Sequence, residues 1–204
     1  MRERFQTRAP NFTMLRAWSS VSASSMRGST RSRSAAEIFG ILTGPLTGTQ
    51  AITATRFTVV AKSPKTGTWG DANAGGFFAP ALKFSGYDGV FFTGASAKPA
   101  YLFINDGKAE LRDASHLWGK DAIETEDLLK AEVGKGFEVS CIGQAGEKMS
   151  LLAGVMTDRG RSAGRSGLGA VMGSKKLKAV VAGGKREVID GLKRSLGLNK
   201  KPND

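Results

Sequence analysis

Glycine is the residue type that most constrains how this chain can fold. Twenty-seven of its 204 residues are glycine, and they stand between short apolar runs without a regular period. Glycine inside a helix or strand costs about 0.5–1 kcal/mol relative to alanine, whereas in turns it supplies backbone angles that other residues avoid. The sequence therefore predicts short strands joined by tight glycine loops, and it excludes a collagen-like repeat.

The apolar runs predict a β-rich α+β fold. Between 122 and 133, apolar residues at helical spacing precede Gly134, which predicts an amphipathic helix with a glycine stop. Asn105, Asp106 and Gly107 predict a hairpin turn, because these residue types tolerate positive φ. A second helical pattern begins at Glu187 and predicts a connector. The predicted strands span 56–62, 89–94, 101–104, 109–112, 137–142, 151–155 and 178–182.

The chain is predicted to have three parts: an Arg/Ser-rich segment at 1–37, a body at 38–184 and a connector or tail at 185–204. The net charge is +12, and half of it falls within residues 1–36, which hold seven arginines, eight serines and one acid. This composition is typical of a transit peptide, of a disordered basic arm for nucleic acid, or of sequence foreign to the fold behind it. The body after residue 37 is only mildly basic.

Two rare residues exclude several kinds of site. With one cysteine, Cys141, the chain cannot form an internal disulfide or a four-thiolate cluster alone, and a cytoplasmic location is expected. With one histidine, His116, it has no pair for a two-histidine metal motif. The apolar pattern around Cys141 predicts an inert buried thiol, and His116 is interpreted as structural. No apolar run is long enough to cross a membrane.

The segment 158–169, DRGRSAGRSGLG, carries the strongest chemical signal. Glycine lets backbone N–H groups converge on an anion, and arginine adds donors that match a phosphate group. A short helix at 168–174 would add its positive end. The pattern fits neither a Walker A loop nor a dinucleotide fingerprint. A solvated surface loop and an RNA contact remain open alternatives.

A second candidate loop spans 62–78. Asn73 offers an oxygen for a hard cation, and the pair Gly75-Gly76 permits close approach of a ligand. A long hairpin without a ligand is the alternative. The order of glycine loop, Leu-Lys and strand occurs twice, at Leu82-Lys83 and at Leu177-Lys178, and weakly suggests two related halves.

Taken in order, these runs resemble a known family. LTGPLTGT (42–49), RFTVVAKSPKTGTWGDANAGGFF (56–78) and IGQAGEKMSLLAGVMTDRGRSAGRSGLGAVMGSKKLKAVV (142–181) are similar to the N-terminal domain of aldehyde ferredoxin oxidoreductases. The resemblance spans about residues 42–183. It implies a two-sheet domain that carries a tungsten (or molybdenum) bis-pterin, with Mg²⁺ joining the two pterin phosphates.

The resemblance also implies roles for individual residues. Arg56 would lie between a pterin and an iron-sulfur cluster, and Asn73 and the Ala163 carbonyl would bind Mg²⁺. The remaining implied cofactor-binding residues lie in the glycine loops: Gly75, Gly76, Arg161, Ser162, Gly164 and Arg165.

Departures from the family pattern limit what this chain can do alone. Residues 1–40 lack the family's strand-rich start and Gly-Arg-Gly motif, which favours foreign sequence at 1–37, from a shifted frame or a misplaced start. Gln144 stands where the family has proline, and Ser162 and Ser166 replace small residues. The cysteines of the [4Fe–4S] cluster belong to later domains of the full-length enzyme. We therefore expect an inactive isolated chain.

The whole enzyme is expected to oxidise aldehydes to carboxylic acids and pass electrons through the cluster to ferredoxin. The expected partners are the later catalytic domains or a separately encoded subunit, and a homodimer is left open. Surfaces that those domains would cover predict self-association. The alternative function is a basic nucleic-acid-binding module that uses the N-terminal arginines and the Gly/Arg loop.

Overall fold

The computed structural model describes residues 12–15 and 37–185 of the chain as a β-rich α+β fold with two sheets. None of the helices in these ranges is long and apolar enough to cross a membrane. The strands are β1 (Phe12–Leu15), β2 (Phe39–Thr43), β3 (Arg56–Lys62), β4 (Trp69–Gly75), β5 (Gly89–Phe92), β6 (Ala100–Asn105), β7 (Lys108–Asp113), β8 (Phe137–Cys141), β9 (Val155–Thr157), β10 (Arg161–Ala163) and β11 (Leu177–Gly183). The α-helices are α1 (Phe78–Phe84), α2 (Ala122–Val133), α3 (Gln144–Glu147) and α4 (Leu168–Ser174), and a 3₁₀ turn covers Ser115–Leu117.

The two sheets share one topology over most of their strands. The first is antiparallel, in the order β1-β5-β2-β3-β4, and the second has the order β10-β9-β8-β11-β6-β7. In the first, β2, β3 and β4 form a meander, α1 follows, and β5 returns antiparallel to β2. In the second, β8, β9 and β10 form a meander, α4 follows, and β11 returns antiparallel to β8.

This shared topology supports two related halves and corrects the sequence correspondence. Leu82-Lys83 lies in α1, whereas Leu177-Lys178 begins β11, so these repeated letters are not equivalent positions. The equivalent elements are α1 and α4, which both contain seven residues and begin at Phe78 and Leu168. The paired architecture places one glycine turn before each helix.

The main hydrophobic core joins both sheets to α1 and α4. The ring of Phe57 on β3 lies edge-on to that of Phe78 on α1, with centroids 5.1 Å apart, and both rings are buried. A second cluster beneath α2 contains Tyr101, Leu129 and Cys141. Each fully buried large apolar side chain contributes about 1.5–3 kcal/mol, so these two clusters fix the sheets on which the loops stand.

Several sequence predictions are confirmed at residue level. Helix α2 spans 122–133 as predicted, with the Asp121 side chain accepting the Glu124 N–H at 2.8 Å and Gly134 at φ +89°. The hairpin between β6 and β7 turns at Asp106 and Gly107, both with positive φ. The other predicted strands agree within about two residues, apart from the one at 151–155, whereas β2 and β10 were not predicted.

Two local predictions are wrong. The strand predicted at 151–155 begins only at Val155, and the preceding Leu151 and Leu152 lie exposed in a turn. The loop predicted at 62–78 contains β4, a seven-residue strand paired along its whole length with β3, so the long hairpin given as the alternative is what forms here. The sequence did not indicate β4 because glycine, alanine, aspartate and asparagine, which make up most of this strand, are all depleted in strands.

The terminal segments are described only in part. Phe12–Leu15 forms β1, which pairs antiparallel with β5 at the edge of the first sheet, although the sequence shows no strand pattern there. The helix predicted from Glu187 lies outside the described residues, as does most of 1–37. The interpretation of 1–37 as foreign or disordered sequence, and of 185–204 as a connector or tail, stays a prediction.

Candidate anion-binding site

Strand β4 forms one side of the candidate site. Its residues alternate, with Gly70, Ala72 and Ala74 buried and with Trp69, Asp71 and Asn73 exposed. A strand directs successive side chains to opposite faces, so the polar groups share one surface while the small residues pack on the core. This alternation is the signal that identifies β4 despite its unfavourable composition.

Arg56 and Asn73 meet across the β3–β4 ladder. Arg56 pairs in register with Gly75, and its Nη2 donates a hydrogen bond to Asn73 Oδ1. An amide oxygen has two lone pairs, so Oδ1 retains acceptor capacity for a cation beside the guanidinium. The two residues and Gly75 form one group at this end of the hairpin.

The turn after β4 requires glycine at position 76. Gly76 has φ +132°, and a Cβ there would lie 1.6 Å from Asp158 Oδ2. The same carboxylate oxygen accepts a hydrogen bond from the Phe77 N–H at 2.9 Å. The carboxylate therefore occupies the space that a side chain at 76 would need.

The β9–β10 turn brings arginines to this point. Asp158 and Arg159 both have positive φ, 48° and 57°, which turns the chain sharply between the two strands. Arg161 Nε lies 3.8 Å from Asp158 Oδ2, and the Arg159 guanidinium pairs with Asp127 on α2. Two of the loop's three arginines thus contact carboxylates of the chain, unlike the uniformly basic surface typical of nucleic-acid binding.

A second junction joins the two candidate loops. Ser63 Oγ donates to the Ser166 carbonyl at 2.8 Å, and Ser166 Oγ donates to the Asp71 carbonyl at 3.2 Å. A Cβ added at Gly70 would lie 2.9 Å from the Ser166 Cβ, so the backbones approach closely here. The loops at 62–78 and 158–169 are held together at two places.

The other predicted residues lie on and after β10, which contacts β4. Ser162, Gly164 and Arg165 are exposed, and the Ala163 side chain is buried in the main core. Ala163 stands five residues before α4, as Asn73 stands five residues before α1. The two predicted metal ligands therefore occupy equivalent positions of the two halves.

Sequence reasoning missed four residues that shape this site. Asp158 and the serines Ser63 and Ser166 join the loops, and Asp71 lies beside Asn73 on the exposed face of β4. An acid at the head of the Arg/Gly segment was the available signal for Asp158. The serine contacts link residues 103 positions apart, and no local pattern marks such a pairing.

The side-chain partners of Cys141 and His116 lie outside the two loops. Cys141 is fully buried, its thiol donates to the Ala122 carbonyl at 3.4 Å, and burial raises its pKa to about 12. The prediction that this thiol is buried is confirmed, and its inertness stays a prediction. His116 is exposed, and its Nε2 lies 3.3 Å from Oε2 of Glu132 on α2, outside both loops.

Comparison with known proteins identifies a family. Residues 18–184 match the model of "Aldehyde ferredoxin oxidoreductase, N-terminal domain". A tungsten-containing aldehyde ferredoxin oxidoreductase of Thermococcus kodakarensis is 51% identical over 149 residues, which are 72% of this chain and 25% of that protein. Its counterpart in Pyrococcus furiosus is 50% identical over 149 residues, with the same coverage. The chain thus spans about a quarter of the length of these relatives.

A solved structure has the same fold. The active site complex BamBC of benzoyl coenzyme A reductase, in complex with 1,5 dienoyl-CoA, matches with a TM-score of 0.72 and 44% sequence identity. The match covers 74% of this chain and 23% of the other. A more distant relative is the aliphatic sulfonate oxidoreductase, WOR-like subunit, of Pyrococcus furiosus, which is 39% identical over 157 residues.

Proposed function

Because the chain belongs to the aldehyde ferredoxin oxidoreductase family, we propose that residues 38–184 form one wall of a tungsten (or molybdenum) bis-pterin site. The two glycine loops would each bind the phosphate of one pterin. Tungsten is the metal named for the Thermococcus kodakarensis and Pyrococcus furiosus relatives, which are 51% and 50% identical to this chain.

One observation carries this proposal. Two halves of like topology each place a glycine turn before a seven-residue helix, and the segments that contain these turns contact each other. A ligand with two equivalent phosphate-bearing groups suits a protein with two equivalent turns. The nucleic-acid alternative has no comparable support.

The donors on the two loops fit the ligand. Phosphate favours backbone N–H groups and guanidinium, which Gly75, Gly76, Gly164, Arg161 and Arg165 provide. Mg²⁺ favours hard oxygen ligands, and the Asn73 Oδ1 and the Ala163 carbonyl are of that kind. The Ala163 oxygen lies 3.2 Å from where a Cβ of residue 154 would stand, so Gly154 keeps the space around it open.

The chain's own residues would bind and orient the cofactor. Arg56, Arg161 and Arg165 would offset the negative charge of the phosphates, and Ser162 would contribute a hydroxyl donor beside Gly164. Exposed Trp69 and Phe77 flank the polar face and would limit water access to it. When bound, the metal and its pterins would supply the oxidation of an aldehyde to a carboxylic acid.

The remaining parts of the enzyme would come from elsewhere. Later catalytic domains or a separately encoded subunit would provide the cysteines of the [4Fe–4S] cluster, through which electrons would reach ferredoxin. Arg56 would then lie between a pterin and that cluster. A homodimer and a cytoplasmic location complete the proposal.

A chimaera tests the proposal. Residues 38–184 replace the corresponding segment of the Thermococcus kodakarensis enzyme, and the anaerobically purified protein is assayed for tungsten, pterin and aldehyde-dependent dye reduction. We expect cofactor content near that of the parent, and at least a tenfold loss in the variants Asn73→Ala and Arg165→Ala. Lys108→Ala, on the exposed strand β7, is the matched control and should retain the cofactor.

A folded chimaera without tungsten would contradict the proposal. Full cofactor content in both single variants, Asn73→Ala and Arg165→Ala, would also contradict it. The same dye assay applied to the 204-residue chain alone should show no aldehyde-dependent reduction, since this chain cannot assemble a four-thiolate cluster. Turnover by the isolated chain would overturn that expectation.

A further inference from the structure

We propose that Asp158 is the positioning residue that couples the two glycine loops and orients both for phosphate. It acts through the Phe77 N–H of one half and the Arg161 side chain of the other. This inference rests on the proposed function, because it assigns a role within the same site.

Asp158 belongs to one half of the molecule and contacts the other. It lies in the β9–β10 turn with φ +48°, and its side chain is only 10% exposed. Its Oδ2 accepts the Phe77 N–H at 2.9 Å and lies 3.8 Å from Arg161 Nε. One oxygen atom therefore faces a backbone donor of the first loop and a guanidinium of the second.

The surrounding backbone is shaped around this carboxylate. A Cβ at Gly76 would meet Asp158 Oδ2 at 1.6 Å and Arg161 Cδ at 3.0 Å. The absence of a side chain at 76 thus lets both groups reach the turn. Without the carboxylate, the Phe77 N–H loses its acceptor and the turn loses the contact that fixes it.

The turn that carries Asp158 is itself anchored on α2. The Arg159 N–H donates to Glu126 Oε2 at 2.8 Å, and the Arg159 guanidinium pairs with Asp127. Lys130 Nζ lies 2.9 Å from Glu126 Oε1 and 2.7 Å from Glu138 Oε2, so its ammonium offsets the charge of both carboxylates. Asp158 therefore projects toward the loops from a rigid base.

Electrostatics alone would not place an acid here. A carboxylate beside a phosphate site repels the ligand. In addition, the Asp158 carboxylate lies within 4.8 Å of the carboxylates of Glu126 and Glu138. The role of Asp158 must then be geometric, through the hydrogen bond that it accepts from the Phe77 N–H and the position in which it holds the Arg161 side chain. Removal of the Asp158 charge should therefore raise the affinity for an anion, whereas removal of the acceptor should lower it.

The experiment uses the full 204-residue chain and inorganic pyrophosphate with Mg²⁺ as the probe, titrated calorimetrically. Asp158→Ala removes charge and acceptor, whereas Asp158→Asn removes the charge and keeps an oxygen that can accept the Phe77 N–H. We expect at least tenfold weaker binding for Asp158→Ala, whereas Asp158→Asn should bind at least as tightly as the parent, because it loses the repulsive charge and keeps the acceptor. Glu110→Ala removes one charge from the exposed ion pair with Arg112 on β7, at the edge of the second sheet opposite β10, and should bind like the parent.

The folded fraction of each variant is measured by circular dichroism, so a loss of stability is not mistaken for a loss of affinity. Equal affinity of Asp158→Ala and the parent would overturn the inference and leave the proposed function standing. Tighter binding by both Asp158 variants would do the same, since it would assign the residue a purely repulsive role. If the unmodified chain binds no pyrophosphate, the proposed function fails, and this inference fails with it.

Discussion

Replacing Gly76 by alanine should be among the most destabilising small changes in this protein. Gly76 has φ +132°, which L residues rarely adopt, and holding alanine in such a conformation costs about 1–3 kcal/mol. The new Cβ would also stand 1.6 Å from Asp158 Oδ2, so the carboxylate must move and release the Phe77 N–H. A hydrogen bond to a charged group contributes about 1.5–3 kcal/mol. The two costs together predict a loss of about 2.5–6 kcal/mol in the free energy of unfolding.

Two matched glycine substitutions separate these costs. Gly67 has φ +72° and no atom within 4 Å of an added Cβ, so Gly67→Ala should show backbone strain alone, about 1 kcal/mol. Gly160 has open space and an ordinary φ, so Gly160→Ala should change stability by less than about 0.5 kcal/mol. Urea unfolding followed by circular dichroism measures all three. If Gly76→Ala loses no more stability than Gly67→Ala, the contact with Asp158 does not constrain the turn.

Three further predictions concern buried ionisable groups. Cys141 should not react with a thiol reagent in the folded chain at pH 8. Because its pKa is raised to about 12, stability in the Lys175→Met background should fall as pH rises above about 9, where the unfolded thiol ionises first. Burial lowers the pKa of Lys175 to about 8, so the unfolded chain binds more protons than the folded chain above that pH. In the Cys141→Ala background, the free energy of unfolding should therefore rise from about pH 8 to 10. Adding Lys175→Met should abolish this rise. Lys178 is fully buried and pairs with Glu147, so Lys178→Met should cost about 3–5 kcal/mol in urea unfolding, with a smaller combined loss when Glu147→Leu is added. A pH-independent stability in the first two cases, or additive losses in the third, would contradict these assignments.

Local sequence signals predicted the elements that follow ordinary propensities. Helix α2 has an aspartate cap, an apolar stripe and a glycine stop, and its bounds agree with the prediction. Strand β11 is an apolar run buried along its whole length, and it was predicted to within one residue at each end. In both cases the local preference and the tertiary environment favour the same structure.

Strand β4 and residues 151–155 were mispredicted for opposite reasons. The first has poor strand formers, but it pairs fully with β3 and buries its small residues against the core. The second has apolar residues that suggest a strand, yet Leu152 is 73% exposed. Tertiary context decides both, through space for only small side chains at β4 and through a tight turn before β9.

The sequence predicted which residue types form the candidate site, but not the contacts that bring them together. Glycine, arginine and asparagine in the two loop sequences indicate anion and cation binding, and the family resemblance orders them along one domain. The links through Ser63, Ser166 and Asp158 join residues 81–103 positions apart, and single-sequence patterns do not encode such pairings. The equivalence of Asn73 and Ala163 likewise follows only from the shared topology of the two sheets.

The central claim is that the two glycine turns hold the two phosphates of one metal-pterin cofactor. Its most direct measurement is a crystal structure of the chimaera at the tungsten absorption edge, which locates the metal and both pterins. We predict one phosphate at the turn of Gly75 and Gly76, the other at that of Gly164 and Arg165, and Mg²⁺ between Asn73 and the Ala163 carbonyl. A cofactor whose phosphates contact neither turn would contradict the account.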